Sequence, residues 1–429
     1  MRQEKKRRVW PFVVIIVILL AIIVALIYGF WSKYQAESHL PTLDSEQQDT
    51  VQEEVEPTPP NNTDESDPIV DEEDSPWWEL PFHTDLTGAV EVGEFELSAE
   101  HLTLMENFMS AWYTPLAEFG DPVFDALFTK YEDADSHGDA LRTLIAIRRA
   151  ALTDLRMDSV NYTLTITKVK LQSDGYLRVE ADENTIMRFA ATPDTDSVLY
   201  DLPHIFIFDN DSLTIAHHEA DDNPYFSYNR GEDTDYDAEI QRILRSIERR
   251  QLTCAEQSTV TINCDHPYDR DAALEYLYEY CGKRNPQWCA YDEVGGNCMN
   301  FGSQVLLAGG IPEDERGEEE WYWDGQNDLD LSWINVGRFY DYCCDNDGFG
   351  LVADTEAGYY TGEVGDVLIV GFNGDHRHTT IISDIVRDKK GNTVDYLISC
   401  NTTNYRDFPA SAYYYTFHRL IKIYGWNEG

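Results

Sequence analysis

The sequence predicts an α+β protein whose folded parts follow a membrane-spanning helix and an acidic linker. Three observations lead to this prediction: an uncharged apolar run near the start, an acidic stretch without aromatic residues, and then blocks of helix-type and strand-type spacing. The chain has 429 residues, of which 42% are hydrophobic, so it has room for two or three domains with linkers.

The N-terminus has the pattern of a membrane anchor. Residues 1–8 form a basic tail with five basic side chains and one acidic one, and residues 9–30 contain no charge. At about 1.5 Å per residue these 22 residues span roughly 33 Å, enough to cross a bilayer core. No small-x-small cleavage site follows, which favours an uncleaved anchor over a signal peptide. We therefore expect a single-pass protein of the cell membrane, with its N-terminus cytoplasmic and its remaining domains extracellular.

Residues 35–76 are predicted to be a disordered acidic linker. Within them, Leu40–Ser75 holds thirteen Asp or Glu and five Pro, with no Lys, Arg or aromatic residue. Such a segment buries too little apolar surface to offset the entropy of ordering, and its charges repel one another. Its expected role is to hold the folded part away from the membrane.

Charge and cysteine spacing exclude several classes of partner. The formal net charge of -47 argues against nucleic acid and against docking on anionic lipid. All eight cysteines lie after residue 253, and disulfides such as Cys254 with Cys264 or Cys281 with Cys289 are open possibilities. The absence of CxxC spacing argues against structural zinc, and we expect neither a metal nor a cofactor. The oligomeric state is left open.

Residues 77–230 are predicted to form a small α+β spacer or recognition module. Ser98 suits the N-cap of a helix, 140–155 has the spacing of another, and 161–171 alternates as a strand does. Further strands are expected at 177–181, 185–190 and, as a hairpin, at 205–208 and 213–216. The order of elements resembles cystatin-like or nuclear-transport-factor-like cones. Residues 231–265 are predicted to connect this module to the next, with a helix at 237–251.

Residues 266–429 contain a candidate nucleophile at the start of a helix. Two glycines and Asn297 precede Cys298, and apolar spacing continues to Ala308 before Gly309. Exposed N–H groups at a helix N-terminus favour the thiolate, so we expect the pKa of Cys298 to be lowered. Strands are expected at 367–370, 378–382 and 394–399, and His378 and Asn401 lie at two of their ends.

Cysteine, histidine and a further polar group are the set that nucleophilic thiol chemistry requires. The imidazole takes the thiol proton and later protonates the leaving amine, while the third group fixes its tautomer. Cys298, His378 and Asn401 are therefore the predicted catalytic residues. His376 is an alternative base, since strand alternation would place it on the same face as His378.

Ordered motifs in this region carry a family resemblance. They are Tyr268-Asp269-Arg270-Asp271-Ala272-Ala273, Asn285-Pro286, Gly295-Gly296-Asn297-Cys298-Met299-Asn300-Phe301, Ala308-Gly309-Gly310, Ser332-Trp333, Gly365-Asp366-Val367 and His378-Thr379. Together they resemble the putative amidase domain of Gram-positive bacteria, a branch of the papain-like and NlpC/P60-like cysteine hydrolases, over about residues 266–425. The resemblance implies a papain-like α+β fold, Cys298 as nucleophile, His378 as base, and amide hydrolysis, with peptidoglycan as the expected substrate.

Two departures from the family pattern bear on activity. The family usually has Asp where this chain has Asn297, and it often has His where this chain has Asn401. Papain-like enzymes use asparagine in that third role. The alternatives are a non-catalytic surface binding protein with a decayed hydrolase domain, and a transglutaminase-like acyl transferase that uses Asp384 or Asp395 as its third residue.

Overall fold

The computed structural model describes residues 76–220, 236–254, 262–292, 295–316, 319–372, 374–413, 415 and 417–429, all within one compact unit. It confirms the α+β class, since these residues form two sheets and six α-helices. The predicted anchor at 9–30, and the predicted linker except its last residue, lie outside the described residues. Across the ranges that are described, no helix has both the length and the apolar character needed to cross a bilayer.

The helices and strands are numbered in chain order. The helices are α1 (Ala99–Glu118), α2 (Tyr131–Arg149), α3 (Tyr236–Cys254), α4 (Arg270–Tyr280), α5 (Cys298–Ala308) and α6 (Val336–Asp345). The strands are β1 (Asp85–Glu91), β2 (Met157–Leu171), β3 (Leu177–Phe189), β4 (Ser197–Asp209), β5 (Thr214–Ala220), β6 (His266–Pro267), β7 (Gly350–Asp354), β8 (Val367–Phe372), β9 (Asp375–Arg387), β10 (Thr393–Ser399), β11 (Asn404–Arg406), β12 (Phe408–Pro409) and β13 (Phe417–Asn427).

The first sheet has the order β1-β2-β3-β4-β11, with β5 also paired to β4. Strand β1 runs parallel to β2, and the other pairs are antiparallel. Alternate residues of β2, among them Tyr162, Leu164 and Ile166, are buried, as the sequence predicts for a sheet with one face on a core. The strands expected at 177–181 and 185–190 are one strand, because β3 continues through an irregularity at Glu183–Thr185. The hairpin of β4 and β5 is confirmed.

Two helices of the first part differ in how well their ends were predicted. Ser98 caps α1, accepting a hydrogen bond from the His101 N–H at 3.4 Å. Helix α2 begins at Tyr131, nine residues before the predicted start at Ala140, and ends at Arg149. Acidic side chains in its first turn and arginines in its last turn complement the helix dipole, which explains the longer helix.

The second sheet has the order β12-β10-β9-β8-β13-β6, with β7 also paired to β13. One face of β8 and β9, which includes Val367, Ile369 and Ile381, packs with residues of α4, α5 and α6. The other face, with Leu368 and Ile382, joins the same core as the first sheet. Because both faces are covered, all six residues of β8 are buried and apolar or glycine.

A short strand from the second part of the chain completes the first sheet. Asn404, Tyr405 and Arg406 of β11 pair with Tyr200, Leu199 and Val198 of β4. One hydrophobic core then runs from the helices of the first part to aromatic residues of the second. The described residues of the first part, up to residue 220, and those from residue 266 onward are therefore packed against each other through a shared sheet and a shared core.

Candidate active site

Helix α5 begins at Cys298, as the sequence predicts. Gly295 and Gly296 precede it with φ values of 123° and 105°, a left-handed backbone that favours glycine. Asn297 occupies the N-cap position, but its side chain does not cap the helix. Its Oδ1 instead accepts hydrogen bonds from the Tyr291 N–H at 3.1 Å and from Asn300 Nδ2 at 2.8 Å, so Asn297 fixes the turn that leads to Cys298.

The Cys298 thiol is free and 7% exposed. Burial raises its pKa, while hydrogen bonds from the backbone N–H groups of Thr379, Met299 and Cys298 itself act in the opposite direction. The negative charge of Asp292 raises the pKa further. The prediction of a lowered pKa is therefore wrong for this conformation, because the desolvation of the sulfur outweighs the N–H groups of the helix terminus.

His378 lies on β9 with its ring buried and 4% exposed. Ring centroids of Tyr413 and Tyr415 are 6.0 and 6.1 Å away, and among the described residues no group hydrogen-bonds to Nε2. Burial lowers the pKa of His378 to about 3, so the imidazole is neutral at physiological pH. A buried ring nitrogen without a partner costs stability and is uncommon in a structural histidine.

The Cys298 sulfur contacts the backbone next to His378. The side chains of Cys298 and His378 are not hydrogen-bonded to each other. The sulfur accepts the N–H of Thr379, whose nitrogen is bonded to the carbonyl carbon of His378. The Thr379 hydroxyl donates to Met299 Sδ of α5 at 3.3 Å, so strand alternation directs the His378 ring to the opposite face.

A β-bulge separates the two histidines. Val370 pairs with His378 whereas the next residue, Gly371, pairs with His376, so Arg377 is the extra residue. The His376 ring lies 4.4 Å from that of Tyr340 on α6, on the helix-covered face. The expectation that both histidines share a face is wrong, because the bulge breaks the period of two. His376 nevertheless remains an alternative base.

Asn401 lies at the end of β10 and is 1% exposed. Its Oδ1 accepts the Gly282 N–H at 3.2 Å and its Nδ2 donates to the Lys283 carbonyl at 3.3 Å. In this conformation its carboxamide is therefore used by the backbone after α4 rather than by His378. The role of Asn401 as third catalytic residue stays a prediction.

Thr402 is a site residue that sequence reasoning missed. Its Oγ1 accepts the Asn297 N–H at 2.7 Å, which pins the loop after β10 to the turn before Cys298. Thr402 and Thr403 have φ values of 65° and 51°, in a region that β-branched residues rarely adopt. Such strain persists only where surrounding contacts hold it, and it clusters at functional sites. Nothing in the local sequence pattern indicates the contact between Thr402 and Asn297.

The two aspartates of the transglutaminase-like alternative lie far from His378. Asp384 follows it by six residues on β9, which corresponds to about 20 Å of extended strand. Asp395 pairs with Val386, still farther along the same hairpin. Neither carboxylate is placed to orient His378, so a triad that contains Asp384 or Asp395 is not supported. Within the described ranges, no group of three or more His, Cys, Asp or Glu side chains is arranged to hold a metal ion.

The directions of the pKa shifts predict how the Cys298 thiol reacts before substrate binds. With the pKa of Cys298 raised and that of His378 lowered, the resting pair is a neutral thiol and a neutral imidazole. We expect alkylation of Cys298 by iodoacetamide, followed by mass spectrometry of its peptide, to be slow at pH 6 and to accelerate only above about pH 8.5, the ordinary range of a thiol. The exposed Cys344 serves as the internal reference. Fast labelling of Cys298 at pH 6 would show a thiolate–imidazolium pair in solution.

Comparison with known proteins identifies the second part of the chain. Residues 267–425 match the family described as Putative amidase domain. The chain is 34% identical over 140 residues to the uncharacterized protein YhbB of Bacillus subtilis (strain 168), an alignment that covers 32% of this chain and 42% of that relative. No solved structure matches. The family name suggests a hydrolase, and the motifs that carry the resemblance lie within the matched range. Residues 267–425 therefore belong to the Putative amidase domain family.

Proposed function

We propose that this protein is a membrane-anchored extracellular cysteine amidase or peptidase with a papain-like catalytic domain. The observation that carries the proposal is the placement of a free cysteine at the start of α5, with its sulfur on the backbone amide that follows His378. Among the described residues no group hydrogen-bonds to Nε2 of His378, so in the proposed reaction this nitrogen is the proton acceptor. The proposed membrane anchor is based on the apolar run at 9–30. The proposed cone-like fold of the first part is based on the order of its helices and strands.

In the proposed reaction, His378 turns toward Cys298 and takes its proton. The thiolate attacks the carbonyl carbon of an amide, and the oxygen that becomes negative is stabilised by N–H groups at the start of α5. His378 then gives its proton to the leaving amine, which departs as the C–N bond breaks. Water hydrolyses the thioester, which returns the free thiol and releases a carboxylic acid. Asn401 would orient the imidazole if the loop after β10 released it from residues 282–283.

Aromatic residues beside this turn support a substrate that carries sugar rings as well as peptide. The partly exposed rings of Trp288 and Trp323 are 4.9 Å apart. Trp323 Nε1 donates to the Tyr291 hydroxyl at 2.9 Å, and the Tyr291 backbone in turn holds Asn297. The two partly exposed rings thus present apolar surface beside Tyr291, whose backbone N–H binds Asn297. Peptidoglycan fragments combine both kinds of group, and we propose them as the substrate class.

The test uses the purified full-length chain in a neutral detergent, incubated with peptidoglycan fragments of defined composition. We expect mass spectrometry to show products whose summed mass exceeds that of the fragment by one water, with a new amine at the cut. If an added small amine appears in an amide product instead, the enzyme is an acyl transferase. If fragments bind without any new product, the non-catalytic alternative holds and the proposed hydrolysis is rejected.

A further inference from the structure

The core of the first part contains a row of polar side chains that the proposed reaction does not use. All are less than 5% exposed and come from α1, α2 and strands β3, β4 and β5: Tyr113, His137, Glu183, Thr185, His204 and His218. Rings of Phe108 and Phe206 face His218 at 4.1 and 4.6 Å, so the row is surrounded by apolar groups. Buried polar groups in such a setting must satisfy one another.

The hydrogen bonds form one continuous chain, which we call the imidazole chain. It runs from the Asp133 carbonyl to His137 Nδ1 at 2.8 Å, and from His137 Nε2 to His218 Nδ1 at 3.2 Å. It continues from His218 Nε2 to His204 Nδ1 at 3.0 Å and ends with His204 Nε2 at Glu183 Oε2, 2.8 Å away. The other oxygen of Glu183 accepts the hydroxyls of Tyr113 and Thr185. Every ring nitrogen of the three histidines is therefore engaged in the chain.

The imidazole chain lacks one hydrogen-bonding proton if its imidazoles are neutral and Glu183 is ionised. Four links need four protons, and each of three neutral imidazoles supplies one. The Asp133 carbonyl at one end and an ionised Glu183 at the other can only accept. For all four links among the described residues to be made, one further proton lies on an imidazole or on Glu183. A second added proton would place two N–H groups face to face and break a link.

Other charged and titratable groups surround the imidazole chain. Burial raises the pKa of Glu183, but the hydrogen bond and positive charge of His204, with the hydroxyls, outweigh it and leave that pKa lowered. Burial and the charge of Glu183 raise the pKa of Tyr405 on β11 and of Tyr162 on β2, and the charge of Arg148 on α2 opposes the shift at Tyr405. Burial raises the pKa of Asp182 on β3, and the charge of His204 opposes that shift. Glu183, His204, Arg148 and Tyr405 line one cavity of about 50 Å³ where the two parts of the molecule meet.

We propose that Glu183, His204, His218 and His137 form a buried site that binds one extra proton, and that the stability of the folded unit depends on this proton. The folded chain holds one proton there, whereas the same three histidines in the unfolded chain bind three at low pH and none at high pH. With ordinary histidine pKa values near 6.5, the two states hold equal numbers at about pH 6.8. Stability from this site is greatest there and declines on both sides.

The direction in which stability changes at alkaline pH provides the test. Above about pH 7.5 the unfolded histidines have lost their protons while the folded site keeps one, so the folding equilibrium constant should fall about tenfold per pH unit. Below about pH 6 the unfolded chain binds more protons than the folded one, and stability falls with falling pH. Tyr405, which belongs to the matched amidase segment, lies on the strand that joins this segment to β4 of the first sheet.

The matched variant is Glu183→Gln. A glutamine amide can donate to His204 Nε2 and reverse the direction of the chain, so all four links are made by neutral groups. Its oxygen still accepts the hydroxyls of Tyr113 and Thr185. We expect denaturant unfolding of the full-length chain between pH 7.5 and 9 to show a stability loss in the wild type that exceeds that of Glu183→Gln by about tenfold per pH unit in equilibrium constant. Equal slopes would overturn the proposal.

A second measurement decides the matter if Glu183→Gln does not fold. The wild-type chain is labelled with ¹⁵N in histidine and ¹³C in the glutamate carboxyl and studied by NMR near pH 7. The expected spectrum contains either four N–H protons on the three imidazoles with an ionised Glu183, or three with a protonated Glu183. Three N–H protons together with a carboxylate would mean that no extra proton is bound and would refute the site. Neither result depends on catalysis by Cys298.

Discussion

Replacing Cys298 by alanine should abolish the release of new amines from peptidoglycan fragments, with a rate loss of at least about 10³-fold. The variant removes the sulfur that accepts the Thr379 N–H, and this sulfur is the group that forms the thioester in the proposed reaction. Because alanine is smaller and apolar in a site 7% exposed, the fold should be retained. The measurement is quantitative mass spectrometry of products over time.

The matched control is Cys344→Ala, which removes an exposed thiol away from the turn at Asn297 and should leave the rate unchanged. Cys298→Ser distinguishes packing from chemistry, since the hydroxyl preserves the shape but is a far weaker nucleophile. We expect it to be as inactive as Cys298→Ala. Undiminished hydrolysis by either Cys298 variant would remove Cys298 from the reaction and with it the proposed mechanism.

Local patterns in the sequence predicted most of the elements that position the site. The Cys298 helix, the hairpin of β8 and β9 and the strand before Asn401 all lie where spacing and turn residues indicated. These features depend on contacts within a few residues along the chain, and such contacts leave a periodic signature. The direction of the His378 ring depends instead on the register of β9, which a one-residue bulge at Gly371 and Arg377 determines.

Features that depend on distant segments could not be predicted in this way. Strand β11 joins the first sheet across about two hundred residues of sequence, and its three residues carry no periodicity of their own. The pKa of Cys298 also depends on distant segments and could not be predicted from the local sequence. A helix N-terminus is visible in the sequence, whereas the burial that outweighs it results from packing against β9 and the loop after β10. Likewise, the imidazole chain unites residues up to 85 positions apart, since His218 and Asp133 belong to different elements.

Some residues of the motifs that carry the family resemblance stabilise the fold. Arg270 Nη1 donates to Asp366 Oδ1 at 2.8 Å, and its Nη2 donates to the Ile423 carbonyl at 2.6 Å. Asp366 also accepts the backbone N–H groups of Glu363 and Ile423. The Asp366 carboxylate is fully buried, and burial raises its pKa to about 6 against the opposing charge of Arg270. At neutral pH this is therefore a buried ion pair that joins α4 to the start of β8 and to β13.

Removal of the buried Asp366 carboxylate should lower the free energy of unfolding far more than removal of the exposed Glu363 carboxylate, although both bind Arg270. We expect Asp366→Ala to lower the free energy of unfolding by about 3 kcal/mol, because Arg270 and two backbone N–H groups lose their acceptor. Glu363 lies 3.4 Å from Arg270 but is 53% exposed, so Glu363→Ala should cost less than about 1 kcal/mol. Urea unfolding of both variants at pH 7.5, with unchanged slopes, measures the difference. Similar midpoints for the two variants would mean that the pair between the motifs at 268–273 and 365–367 does not stabilise the sheet. Those motifs would then need another explanation, one closer to the chemistry at Cys298.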